Sequence, residues 1–143
     1  MARADEIVTA AKRWIGTPYL HQASLRDVGT DCLGLVRGVW REVMGAEPEA
    51  PPAYAAGWSE LGGVEAMAEA AGRHLLQVAR EDFRAGDVLL FRWRAHLPAK
   101  HAGIAVSAAA MVHAQEQAAV TEVALSAWWL RHLAFVFRFP GVR

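Results

Sequence analysis

Thr30-Asp31-Cys32-Leu33-Gly34-Leu35-Val36 joins a glycine- and polar-rich loop to a strongly amphipathic helical pattern and carries the chain's only cysteine. Cys32, Leu35, Val36, Val39, Trp40 and Val43 recur at helical spacing, and Gly45 ends the run. Asp31 has the chemistry of an N-cap for that helix. A thiol in the first turn meets the positive end of the helix dipole, which favours thiolate and so nucleophilicity. A lone helical cysteine is more commonly a small buried hydrophobe. The catalytic reading therefore needs a base elsewhere in the chain.

Residues 4–15 read as a helix with Ile7, Ala10, Ala11, Trp14 and Ile15 on one face, stopped by Gly16 and Pro18. A loop runs from there to Asp31. Residues 46–57 hold Pro48, Pro51 and Pro52 and read as an extended loop, and residues 59–71 as a third helix capped by Ser59. After residue 74 the apolar period changes from helical to alternating. Strands are predicted near 75–79, 87–92, 101–106, 110–115 and 119–124, then a short helix at 126–132 and a last strand at 133–139. Helices followed by a mostly antiparallel sheet of five to six strands imply an α+β architecture in two layers, with residues 1–143 as a single domain.

Fifteen basic residues balance fifteen acidic ones, which argues against electrostatic capture of nucleic acid or of an anionic membrane. One cysteine excludes an internal disulfide, and no cofactor motif is present. A zinc site of Cys32, His101 and His113 would lack a fourth ligand and an acidic base, so no metal is expected. The first fifteen residues show neither a signal peptide nor a membrane span.

The strands offer a base. A hairpin centred on Ser107 places His101 directly opposite His113 on one face, within hydrogen-bonding range. Gly103 and Ala105 share that face and are small, which suits it for docking the start of the cysteine helix. Ala102, Ile104 and Val106 lie on the other face and can pack. In this arrangement Cys32 attacks a carbonyl, His101 takes its proton, and a neutral His113 accepts from His101 and holds its orientation. With the helix N-terminus and a cationic His101 both favouring thiolate, alkylation near pH 6 is expected to outpace that of free cysteine.

Other residues carry weaker signals. Arg92 and Arg94 alternate before a loop with His96 and Lys100 and read as a solvated face rather than a carboxylate site. Trp128 and Trp129 read as closing the core rather than stacking on sugars. His21, His74 and His132 have no ligand-like spacing.

Three ordered blocks give the chain a family likeness. They are Gly16-Thr17-Pro18-Tyr19 followed by Asp31-Cys32-Leu33-Gly34-Leu35-Val36; Gly86-Asp87-Val88-Leu89-Leu90-Phe91 followed by His101-Ala102-Gly103-Ile104-Ala105-Val106; and Met111-Val112-His113-Ala114. In that order the chain resembles the NlpC-type cysteine peptidases of bacterial cell walls. The resemblance implies a papain-like α+β fold and hydrolysis of amide bonds in peptidoglycan stem peptides. It makes Cys32 the nucleophile, His101 the base and His113 the orienting residue. It places Tyr19 beside the nucleophile, where its hydroxyl can help hold an oxyanion, and leaves Asp31 as a cap or a substrate contact.

The absence of a leader and of a wall-binding module looks like the tail-tip peptidases of phages and phage-like gene transfer agents. Basic residues are almost all arginine, Lys12 and Lys100 being the lysines, which is similar to proteins of alphaproteobacterial gene transfer agents. The expected partners are then stem peptides and the hub proteins of a tail tip or baseplate. Synthesis would be cytoplasmic, followed by carriage in a particle and action in the periplasm of a target cell. The sequence departs from the family pattern at Leu33, where serine is usual, and at Leu20-His21-Gln22, where a Trp-Gly-Gly-like run is usual. Alternative readings are a catalytically silent structural tail component, and a thiol acyltransferase or amidase on a small substrate. Cysteine before histidine in chain order fits the peptidases and not the circularly permuted acyltransferases.

Overall fold

Helix α1 (Ala4–Arg13) buries Ile7, Ala10 and Ala11 on one face. The computed structural model describes residues 2–49 and 65–142. After α1, a small hairpin of β1 (Ser24–Leu25) and β2 (Gly29–Thr30) lies where the sequence predicts only a loop. Helix α2 (Cys32–Val43) begins at Cys32, with Asp31 as its cap. Trp14 joins the two helices: its ring fills the space over Gly38, where a Cβ would come within 2.0 Å of it. Its Nε1–H donates to Glu42 Oε1 at 3.1 Å.

Helix α3 (Ala66–His74) ends three residues beyond the predicted limit, and its predicted cap Ser59 lies outside the described residues. Gly72 does not stop it, because nothing there requires a left-handed backbone; the chain leaves the helix at Leu75, which turns extended. The strands follow as β3 (Leu76–Val78), β4 (Val88–Phe91), β5 (His101–Ala105), β6 (Ala110–His113), β7 (Thr121–Ala124) and β8 (Leu133–Arg138), with helix α4 (Ala127–His132) before the last. They form one antiparallel sheet of six strands in the order β3-β8-β4-β5-β6-β7. The architecture is α+β. No helix among the described residues is long and apolar enough to cross a membrane.

Each face of the sheet has its own core. Ile7, Leu35 and Val39 from α1 and α2 pack on Val88, Leu90, Ala102, Ile104 and Val112. On the other face Leu89, Phe91, Ala105 and Met111 pack with Leu125 and Leu133, and Trp93 and Trp129 lie against them. This corrects the expectation that the start of the cysteine helix docks on the histidine-bearing face. The apolar stripe of α2 takes the apolar face of β5, where burial returns about 25 cal/mol per Å². The histidine face is occupied by Met111 and aromatic rings.

Asp87 anchors the start of β4. Its buried carboxylate accepts from Arg138 Nε at 2.8 Å and Nη2 at 2.9 Å, and from the Arg84 amide at 2.9 Å. This two-pronged pair ties the turn before β4 to β8.

Candidate active site

The register of the β5–β6 hairpin differs from the expected one. Gly103, not His101, stands opposite His113, followed by Ile104 opposite Val112 and Ala105 opposite Met111. The turn is closed by Val106 N–H donating to Ala110 O at 2.9 Å, and Ser107 Oγ accepts from the Ala109 amide at 3.0 Å, so the bend is centred beyond Ser107. A two-residue offset preserves the face, because side chains alternate with a period of two. His101 and His113 are therefore diagonal neighbours, a spacing that long side chains bridge. His101 Nε2 lies 2.8 Å from His113 Nδ1. Gly103 makes room: a Cβ there would meet Met111 Sδ at 2.6 Å and His113 Cβ at 3.3 Å.

Cys32 lies against the backbone at the start of β5. Its Sγ lies 4.0 Å from the Lys100 carbonyl and against the Ala102 amide, the residues on either side of His101. The first turn of α2 is held there from two sides. Asp31 Oδ1 accepts from Gly34 N–H at 2.7 Å, and Oδ2 accepts from Gln22 N–H at 2.8 Å. Both carboxylate oxygens of Asp31 thus serve the cap and the preceding loop. Gly34 is required by the close approach of the small hairpin, since a Cβ there would lie 2.0 Å from the Ala23 carbonyl oxygen.

Tyr19 is placed by backbone. Its N–H donates to Ala118 O at 3.1 Å, while Pro18 O accepts from Thr30 N–H at 3.0 Å and Leu20 N–H donates to Thr30 O at 3.0 Å. The strip 16–20 is thereby fixed between 118–120 and the residue before Asp31. Gln22, in the departing Leu20-His21-Gln22 run, adopts φ of 66°, the left-handed region that favours glycine.

Tyr19, Asp31, Cys32 and His101 line a common cavity of about 330 Å³ with His21, Leu33, Met67, Trp93, Lys100 and the segment 114–116. His113 stands behind His101 and does not line it. The structure thus gathers the cysteine and the histidine pair and places Tyr19 and Asp31 beside them. His74 and His132 lie elsewhere: His74 pairs with Glu49 at 2.8 Å, and His132 stacks on Trp128 at 4.0 Å. Among the described residues no group of three or more His, Cys, Asp or Glu is arranged to hold a metal ion.

Burial dominates the electrostatics. It pushes the Cys32 thiol up to about 12, with the Asp31 carboxylate adding to the rise, against backbone amides including that of Cys32 itself. This works against the expected thiolate: the helix terminus favours the anion, while desolvation and Asp31 favour the thiol. Burial, the neighbouring His113 and Lys100 bring His101 down to about 3, and burial brings His113 down to about 4. These shifts favour a neutral thiol beside two neutral imidazoles. Burial, together with the charges of Cys32, Asp31 and Glu116, raises Tyr19 to about 12, so its hydroxyl remains a donor at neutral pH.

Two features escape the sequence reading. Arg92 is not a solvated residue: its Nη1 pairs with Glu65 Oε2 at 3.0 Å and donates to Leu97 O at 3.0 Å. Glu65 Oε1 also accepts from the Ala99 amide at 2.9 Å, so this pair shapes the loop that delivers His101. The second is the cluster of Trp93 and Trp129 against His101, at ring separations of 5.4 Å and 5.8 Å. An arginine ending a buried strand signals the first; nothing local signals the second.

A cysteine opening a helix packed on an antiparallel sheet, with histidines on neighbouring strands, defines a papain-like α+β domain. The sequence profile of the NlpC/P60 family matches residues 16–138, and the chain belongs to that family, whose members are cysteine peptidases and amidases. The chain is 29% identical over 143 residues to the gamma-DL-glutamyl hydrolase of Bacillus subtilis (strain 168), covering 99% of this chain and 31% of that protein. It therefore spans about a third of the length of that curated relative. Its fold is similar to the NlpC/p60 domain of the peptidoglycan hydrolase SagA, with a TM-score of 0.67 and 21% identity over 96% of this chain and 100% of that one. It is also similar to an NlpC/P60 family protein from Bacillus cereus ATCC 10987, with a TM-score of 0.68 and 18% identity over 95% and 40% of the two chains.

Proposed function

We propose that this domain is a cysteine endopeptidase that hydrolyses amide bonds in peptidoglycan stem peptides, with Cys32 as nucleophile, His101 as base and His113 as orienting residue. The observation that carries this reading is the 2.8 Å contact between His101 Nε2 and His113 Nδ1 behind the cavity that holds Cys32. A neutral His113 accepts from His101 Nε2–H, and Nδ1 of His101 is then the basic nitrogen. As Cys32 Sγ attacks the carbonyl carbon, its proton passes to Nδ1, so thiolate forms with the attack and not before it. The C–N bond breaks as Nδ1 returns the proton to the leaving amine, giving a thioester. A water deprotonated by Nδ1 then attacks the thioester, releasing a carboxylic acid and the thiol. The Tyr19 hydroxyl is the candidate donor to the oxyanion.

The names of a gamma-DL-glutamyl hydrolase and of a peptidoglycan hydrolase among the similar proteins support the substrate class. Carriage in a phage-like tail tip, with a tail hub as partner and the target cell's periplasm as site of action, is the finer part of the proposal. It rests on the arginine-for-lysine composition. Incubating purified protein with sacculi and weighing the released fragments by mass spectrometry tests the chemistry. Release of stem-peptide fragments by wild type and none by Cys32→Ala is expected. Equal digestion by both, or envelope passage by Cys32→Ala particles equal to wild type, would favour a structural tail component.

A further inference from the structure

Trp129, on α4, touches both histidines of the pair. Its ring lies 5.8 Å from that of His101 at 29°, and 5.3 Å from that of His113 at 82°. The two imidazole centroids are 5.1 Å apart, so the three rings close a triangle whose His–His side is the 2.8 Å hydrogen bond. Phe91 meets the indole edge-on at 4.9 Å, and Trp93 lies 6.0 Å from it, which fixes its position. Trp129 does not line the cavity shared by Cys32 and His101. It therefore covers the pair from outside the substrate space.

The placement matters for how an orienting pair works. A hydrogen bond between two neutral imidazoles is worth little once water competes for either nitrogen, and it strengthens as water is excluded. His101 is 6% exposed and His113 1%. The ring of Trp129 supplies part of that enclosure for both at once. Its near-parallel face beside His101 also favours the imidazolium that forms during proton transfer.

We propose that Trp129 is a positioning residue: its indole shelters the His101–His113 hydrogen bond from water and so holds His101 in the tautomer that keeps the proton on Nε2 and leaves Nδ1 free to act as base. The consequence for hydrolysis rests on the catalytic reading above. The shelter itself is a property of the pair and is measurable without substrate. A Trp129 that only closed the core would affect stability while leaving the protection of this N–H unchanged.

The test uses the full chain labelled with ¹⁵N-histidine. The imidazole N–H proton of His101 is observable in water only while its exchange is slow, and wild type is expected to show it. Trp129→Leu should speed that exchange by about tenfold or more, as expected when a local closure is lost. Trp129→Phe, which keeps a ring over the pair, should retain most of the protection. If Trp129→Leu does not fold, Trp129→Met takes its place with the same expected rise. On a stem-peptide substrate, the variant that speeds exchange should lower kcat and leave KM unchanged, because the indole is outside the cavity. Unchanged exchange in the Leu or Met variant, or no sheltered imidazole N–H in wild type, overturns the proposal. Sheltering that behaves as expected in a protein with no hydrolytic activity would refute the catalytic reading and leave the shelter standing.

Discussion

His101 Nε2 and His113 Nδ1 meet at 2.8 Å although their residues are not partners across the strands; the diagonal offset, with Gly103 opposite His113, brings the rings together. Directly opposed histidines on antiparallel strands stand side by side. The diagonal pair instead meets nearly edge to face, at 86°, so that a nitrogen of one ring faces a nitrogen of the other. The function proposed for the chain depends on this contact.

Substitutions along the line from nucleophile to orienter should rank in one order. Cys32→Ala removes the nucleophile with little change in volume and should abolish fragment release while preserving the fold. His113→Ala leaves the base present but unoriented, a loss on the order of 10–10³-fold, against the ~10⁴-fold known when an orienter enforces the wrong tautomer. His113→Asn should lose less, since its amide oxygen can accept from His101. Initial rates on sacculi or isolated stem peptides give the ranking, and a His113→Ala enzyme as active as wild type would remove His113 from the set.

Thiol reactivity follows from burial. With the Cys32 thiol pushed up to about 12, the iodoacetamide rate of the free enzyme should rise only on the alkaline side. Asp31→Asn keeps an oxygen for the Gly34 amide but removes the charge and the acceptor of the Gln22 amide, so it should move the profile toward lower pH. Its cost in stability should stay within the roughly 0.5–2 kcal/mol typical of altered caps. A wild-type inflection below pH 7 would show that the helix terminus and an imidazolium outweigh desolvation.

Acid should loosen the fold before the carboxylates titrate. Unfolded imidazole takes a proton near 6.5, whereas His101 and His113 are held down to about 3 and about 4, chiefly by burial. Between those values the unfolded chain binds protons that the folded chain refuses. Stability is therefore full above about pH 6.5 and falls as the pH drops toward 4, by up to about 1.4 kcal/mol per pH unit for each histidine. Urea unfolding midpoints from pH 7 to 4.5 should show this slope in wild type and a shallower one in His113→Asn. Identical slopes would mean the pair is not buried in solution.

Gly34→Ala tests the seating of the helix. The added methyl would lie 2.0 Å from the Ala23 carbonyl oxygen, a backbone atom that yields only by moving the small hairpin. Loss of about 1–3 kcal/mol is expected for such overpacking, with lower activity because Cys32 shifts with the first turn. Gly45→Ala in contrast meets no neighbour within 4 Å and should cost through its positive φ alone. An equally stable and active Gly34→Ala protein would mean that the approach of β1 is loose.

The elements were legible in the chain because local periodicity sets them. Asp31 caps a helix at Cys32, Leu35 and Val39 face a core, and the alternating segments after residue 74 became strands within a few residues of their expected limits. That His101 and His113 share a face was also legible, since alternation survives any even offset of register. What local pattern could not decide was long-range. The turn beyond Ser107 chose Gly103 as the partner of His113, and the apolar stripe of α2 chose the face of β5 away from the histidines. Arg92 became a strut through Glu65, a residue far off in sequence, and Trp129 arrived over the histidine pair from a helix near the chain's end. The balance at the thiol is set at long range for the same reason. A helix terminus is visible in sequence, but the desolvation that opposes it exists only once the site is closed by the rest of the fold.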